Sequence, residues 1–322
     1  MYHKNNLEFE PGKFYNFALN LLTTYLFCYM TQILDGKQIS LQIRQEIAAD
    51  VALMKQKGQR SPHLVAVLVG NDGASETYVN HKVKDCEEVG FRSSLYRYDV
   101  SISEDELLQV VDSINQDSGV DGLIVQLPLP KHISVDKIIA KILPEKDVDG
   151  FHPVNLGRMV KGWPAYMPAT PNGIVELIKR NNIETAGKHC VVIGRSQIVG
   201  LPISILMGRN GYPGNCTVTL CHSKTHDIPA VTRQADILIA AIGIPGFVKG
   251  NMVKEGAIVI DVGTTRVTDA TKKAGFSLKG DVLYDEVFGK CSYITPVPGG
   301  VGPMTRASLL QNTLLAAQNK VY

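Results

Sequence analysis

Apolar residues recur along this chain in two alternating rhythms. Continuous apolar runs of strand length occupy 64–69, 122–125, 189–193, 216–221, 236–241 and 257–260, with a weaker one at 93–98 and a short strand and turn at 33–36. Between them, Leu41, Ile43, Ile47, Val51 and Met54 fall at roughly helical spacing up to Gly58. Helices are also expected over 75–89, over 104–114, from about 174 with Leu177 and Ile178, and from about 201 to 207. Strand alternating with helix predicts an α/β fold with a mostly parallel sheet. The Pro168–Gly173 stretch breaks the pattern and marks the candidate domain junction. Residues 31–171 with 296–322 are expected to form one α/β domain, 172–295 a Rossmann-like second domain, with a cleft between them.

A chain of 322 residues has room for two cores. Its 44% hydrophobic and 20% charged residues are ordinary for a globular protein, and a net charge of +2 without a dense basic cluster argues against a nucleic-acid binder. Six scattered cysteines with no C-x-x-C pair fit reduced thiols and a cytoplasmic location. No H-E-x-x-H or clustered Cys/His pattern points to a metal, and no G-x-x-x-x-G-K-[ST] loop to a synthetase. One segment is out of character: residues 14–34 carry no charge. That run has the length of a membrane anchor. The favoured expectation is instead that Met30 is the true start, leaving 1–30 as an extension outside the fold and a membrane role unlikely.

Candidate chemistry clusters at strand ends, where open parallel sheets bind ligands. Tyr78 and Lys82 lie four apart on one predicted helix, so ring and amine share a face. Gln126 ends the 122–125 strand, where Pro128 and Pro130 fix the loop, and is expected to face Lys82 across a cleft. In 144–150, Asp147 and Asp149 flank a valine before Gly150; this is either a turn and cap, or a carboxylate that accepts two parallel hydrogen bonds from an amino-lactam ring. The 189–193 strand runs through Gly194 and Arg195-Ser196 into a helix, a phosphate-binding arrangement, although the spacing is not G-x-G-x-x-G. The 216–221 strand ends in His222-Ser223-Lys224 with no acidic residue for a ribose, which favours NADP over NAD. Gly243 and Gly263 follow the next strands and suit backbone approach to a cofactor or simple loop geometry. Residues 295–305, rich in proline and glycine, read as a constrained loop before a closing helix.

As a set, Ser75-x-x-Tyr78-Val79-x-x-Lys82, Val125 to Pro130, 144–150, Thr170-Pro171-x-Gly173, Gly194-Arg195-Ser196-x-Ile198-Val199-Gly200-x-Pro202, Cys221-His222-Ser223 and 296–305 resemble the bifunctional methylenetetrahydrofolate dehydrogenase/cyclohydrolase family. The resemblance covers about 31–319; Ala169 departs from a cysteine common in the family. It implies a homodimeric enzyme of one-carbon metabolism. The activities implied are NADP-linked oxidation of 5,10-methylenetetrahydrofolate to the methenyl cation and hydrolysis to 10-formyltetrahydrofolate. Lys82, Tyr78, Gln126 and Asp149 would be catalytic, with Ser75, Val125, Leu127, Pro298 and Gly299 also on the folate. Thr170, Gly194, Arg195, Ser196, Ile198, Val199, His222, Ser223, Gly243 and Gly263 would line the cofactor. The competing expectation is a non-catalytic dinucleotide-binding protein on the same fold.

Overall fold

A computed structural model describes residues 31–272 and 275–322; the expectations about an anchor or a later start fall on 1–30, outside the described residues. The chain begins β1 (Gln32–Ile33), α1 (Gly36–Gln56), β2 (His63–Val69), α2 (Gly73–Glu88), β3 (Arg92–Tyr98), α3 (Glu104–Gln116) and β4 (Gly122–Val125). Helices α4 (Val135–Lys141), α5 (Pro153–Val160) and α6 (Ala169–Arg180) lead to β5 (His189–Ile193), α7 (Gly200–Gly208), β6 (Thr217–Cys221), α8 (Ile228–Thr232) and β7 (Ile237–Ala240). Then come β8 (Ile258–Asp261), β9 (Thr265–Thr268), β10 (Phe276–Lys279), α9 (Tyr284–Val287), β11 (Tyr293–Ile294) and α10 (Val301–Ala317).

Local sequence explains the boundaries. The Asp35 side chain caps α1, whose buried face is Ile43, Ile47, Val51 and Met54. Ser103 and Glu106 close a reciprocal capping box on α3. Every residue of β2 and β4 is buried, as befits parallel strands covered on both faces.

Two parallel sheets result. The smaller has the order β3-β2-β4, and the larger β1-β11-β8-β7-β5-β6, counted among the described residues. In each, one strand is followed by neighbours on opposite sides: β2 lies between β3 and β4, and β5 between β6 and β7. The carboxyl ends of such strands are where ligands enter a doubly wound sheet. An antiparallel ribbon, β9–β10, projects from the larger sheet.

Two details differ from expectation. The short strand at 33, expected within the 31–171 domain, joins the larger sheet instead, pairing with Tyr293 and Ile294. The closing helix begins at Val301, so the 295–305 segment is loop only to Gly300. Pro303 is accommodated because an N–H in the first helical turn has no intrahelical acceptor to lose. Helix α10 packs on α6 and α1. Its buried Asn312 donates to Val148 O (2.8 Å) and Met167 O (2.9 Å), tying it to the 147–150 turn. Among the described residues, no helix is long and apolar enough to cross a membrane.

Candidate active site

Helix α2 starts just beyond β2, capped by Asp72, whose carboxylate accepts from the Ser75 N–H and hydroxyl at 2.8 Å each. One turn on, Tyr78 is half-buried, and Lys82 is only 6% exposed. The Lys82 ammonium lies 4.9 Å from the Tyr78 ring centroid, a cation–π distance. Its Nζ donates to Gln126 Oε1 at 3.2 Å, and the Gln126 amide is oriented in turn by donation to Leu127 O at 2.8 Å. The ends of β2 and β4 thus bring together the pair expected from sequence.

Burial holds the Lys82 amine below the usual lysine range, while the Asp149 carboxylate pulls it back up. The reciprocal holds for Asp149: burial raises it and Lys82 lowers it. Burial also raises the Tyr78 phenol, reinforced by Asp149.

The two carboxylates of the 144–150 segment divide the alternatives left open by the sequence. Asp147 is buried and accepts from His152 N (2.7 Å), Phe151 N (3.2 Å) and Asn155 Nδ2 (2.9 Å), so it is the turn-holding group. Burial nevertheless pushes it up to about 7. Asp149 is left facing Lys82.

A cavity of about 490 Å³ opens beside this cluster. On one wall are Ser75, Thr77, Tyr78, His81, Gln126 and Leu127; on the other are Val199 from the turn before α7, Val262 and Thr264 after β8, and Arg266 and Leu278 of the β9–β10 ribbon. Thr170 and Thr305 close the bottom, with their hydroxyls 3.0 Å apart. Val125 points into the sheet core, and Pro298 is exposed on the loop before α10. The neighbouring Gly299 O accepts from Lys37 N at 2.9 Å.

Across the cleft, Gly194 ends β5 with φ +114, and a Cβ there would lie 2.2 Å from Ala241 O. Gly200 begins α7, and a Cβ on it would lie 2.0 Å from Gly194 O. Strand, turn and helix are therefore in backbone contact, which only glycine permits. Ser196 Oγ accepts from Val199 N and Gly200 N at 3.2 and 3.3 Å. Arg195, Ser196 and Ile198 are exposed on this turn, and Ser223 is exposed beyond β6, where His222 Nδ1 accepts from Lys224 N. Gly243, at the end of β7, is held by donation of its N–H to Asp281 Oδ2 at 3.0 Å; Gly263 follows β8 and donates to Asp261 Oδ1. Glycine turns, a helix start and an exposed arginine offer the donors and clearance that a dinucleotide phosphate needs.

Sequence reasoning passed over Arg266, Thr305, Asn312 and Asp281. Arg266 had a faint signal, lying in a short β-prone run that a charged turn separates from 276–279. The others are polar residues in apolar or turn contexts and carry no pattern of their own.

Fold and cleft define a two-domain α/β protein with a dinucleotide-type strand–glycine turn–helix and a cavity that opens beside a buried lysine. The models of the tetrahydrofolate dehydrogenase/cyclohydrolase catalytic domain and NAD(P)-binding domain match residues 34–149 and 168–321. The chain belongs to the tetrahydrofolate dehydrogenase/cyclohydrolase family. It is 62% identical over 291 residues to a bifunctional protein FolD of Phocaeicola vulgatus, covering 90% of this chain and 99% of that one. Among solved structures it is similar to a bifunctional FolD enzyme of Campylobacter jejuni (44% identity, TM-score 0.84, 90% and 99% coverage). It is also similar to the Trypanosoma brucei methylenetetrahydrofolate dehydrogenase-cyclohydrolase complexed with NADP and an inhibitor (38% identity, TM-score 0.86, 90% and 98% coverage).

Proposed function

We infer that this protein is a bifunctional enzyme that oxidises 5,10-methylenetetrahydrofolate with NADP and hydrolyses the methenyl product to 10-formyltetrahydrofolate. The observation that carries the reading is the buried Lys82–Gln126 pair with Tyr78 beside it, at a cavity that Tyr78 and Gln126 share with Val199 of the β5–α7 turn.

NADP, when bound, would supply the acceptor for the hydride of the one-carbon bridge. The protein's part in that step is positioning. Tyr78 would pack on the folate ring, Asp149 would accept the two parallel donors of its amino-lactam edge, and Ser75, Leu127, Pro298, Gly299 and the backbone of Val125 would border the same ligand. Arg195, Ser196 and Ser223 would hold the 2′-phosphate region, and Thr170, Gly194, Ile198, Val199, His222, Gly243 and Gly263 would line the rest of the cofactor.

Hydrolysis requires proton movement. Water adds to the methenyl carbon and loses one proton. As the C–N bond breaks, the resulting hydroxyl loses its proton to become the formyl carbonyl and the departing ring nitrogen gains one, so one proton is released overall. Lys82 carries these protons, its burial having lowered the affinity that would otherwise keep it an ammonium. Gln126 orients the amine without imposing the charge that a carboxylate would. We propose further that residues 31–171 and 296–322 act as the folate unit and 172–295 as the cofactor unit, and that the enzyme is a cytoplasmic homodimer. Buried free thiols at Cys86, Cys190, Cys216, Cys221 and Cys291 support a reducing compartment.

Absorbance of reduced cofactor and of the methenyl species, followed from 5,10-methylenetetrahydrofolate with NADP and with NAD, tests the reading. Reduced NADP without build-up of methenyl compound is expected; no turnover with either cofactor would instead favour the non-catalytic binding protein.

A further inference from the structure

We propose that Arg266 is a latch between the two halves of the molecule, a positioning residue that serves hydride transfer and not hydrolysis. It belongs to the β9–β10 ribbon that follows β8 of the larger sheet, yet its Nη2 donates to Gly73 O (3.2 Å) and Thr77 Oγ1 (3.1 Å) at the start of α2. The guanidinium also lies 4.4 Å from the Phe276 ring centroid on the paired strand, which limits the angles from which it can reach across. At its base the ribbon is tied to the cofactor side, where Thr265 Oγ1 donates to Gly243 O at 3.3 Å. Asp281 holds that same turn by accepting from Ile242 N and Gly243 N.

These contacts run unbroken from the turn at the end of β7, through the ribbon, to the helix that carries Tyr78 and Lys82. The two half-reactions make different demands on them. Hydride transfer joins a ligand seated on one half to a ligand seated on the other, so it depends on the distance between the halves. Hydrolysis uses water and the Lys82 group, which lie within one half. A latch across the cleft mouth therefore acts on one step and spares the other.

The inference rests on the bifunctional reading, and the test separates the two. Both activities are measured on wild type, Arg266→Ala, Arg266→Lys and Thr77→Val, over a range of folate concentrations that reaches saturation, with thermal melts to verify folding. Arg266→Ala is expected to lower dehydrogenase kcat by about tenfold or more, and at least about fivefold more than it lowers hydrolysis kcat, since small misplacements of reactants are costly to transfer steps. Arg266→Lys and Thr77→Val, which each remove part of the contact, are expected to fall between. Parallel loss of both activities would overturn the latch, as would a matching rise in folate KM for both, which would make Arg266 a substrate ligand instead. Absence of either activity in wild type would overturn the bifunctional reading itself.

Discussion

Lys82 is hydrogen-bonded to the neutral amide oxygen of Gln126 at 3.2 Å, while the carboxylate that attracts it, Asp149, acts without a direct ion pair among the described residues. The amine is thereby held in place but not locked in its charged form. Removing it tests the relay: Lys82→Met should lower methenyltetrahydrofolate hydrolysis by about 10²-fold or more, the range for losing a general acid–base, while NADP binding persists. Hydrolysis surviving at near wild-type rate would show that the proton moves elsewhere.

Replacing the neutral partner by a charged one shifts the pH profile in a set direction. In Gln126→Glu a carboxylate would take the place of the amide and favour the ammonium form, raising the Lys82 pKa. The limb of the hydrolysis profile that requires neutral Lys82 should move to higher pH, with lower activity near neutrality. A profile unchanged in position would detach that limb from Lys82.

Asp147 and Asp149, two residues apart, should fail differently. Asp149→Asn should raise folate KM in both activities. Because burial raises its pKa, the ionised form is disfavoured in the fold, and neutralising it should leave stability at neutral pH unchanged or higher. Asp147 rises from 3.8 to about 7 in the fold, so the stability it contributes is full below about 4 and is lost as pH rises through about 7. Denaturation curves of wild type and Asp147→Asn should therefore differ by an amount that changes across that window, with folate KM nearly unaffected. A pH-independent difference would mean that the three N–H donors outweigh burial.

Arg195 stands exposed on the β5–α7 turn, one strand from Ser223. Arg195→Ala should weaken NADP more than NAD, by about tenfold if one charge-assisted phosphate contact is lost. Titration of both cofactors decides it; equal losses would remove Arg195 from the 2′-phosphate.

What the sequence made legible follows from range. Tyr78 and Lys82 share a helix face by local periodicity, and Gln126 ends a buried strand whose neighbours are specified by continuous apolar runs. Their meeting required only the rule that ligand sites lie at carboxyl ends of parallel strands. Arg266 followed no such rule. Its contacts are with Gly73 and Thr77, far away in sequence, and its own strand is mostly exposed. Nor could composition tell Asp147 from Asp149, because that assignment depends on which carboxylate the folded turn encloses. The early start of α10 was hidden by Pro303, a residue that usually marks a helix boundary but sits comfortably inside the first turn.

The pairing of β1 with β11 has a consequence for how the protein is made. The partners of Gln32 and Ile33, Tyr293 and Ile294, are synthesised about 260 residues later, an interval on the order of tens of seconds at ordinary elongation speeds. Until then the nascent cofactor sheet ends at β8, with one row of backbone groups exposed. A message truncated before codon 293 would release a chain with that edge permanently open, a surface to which chaperones or other unfinished chains would add a strand.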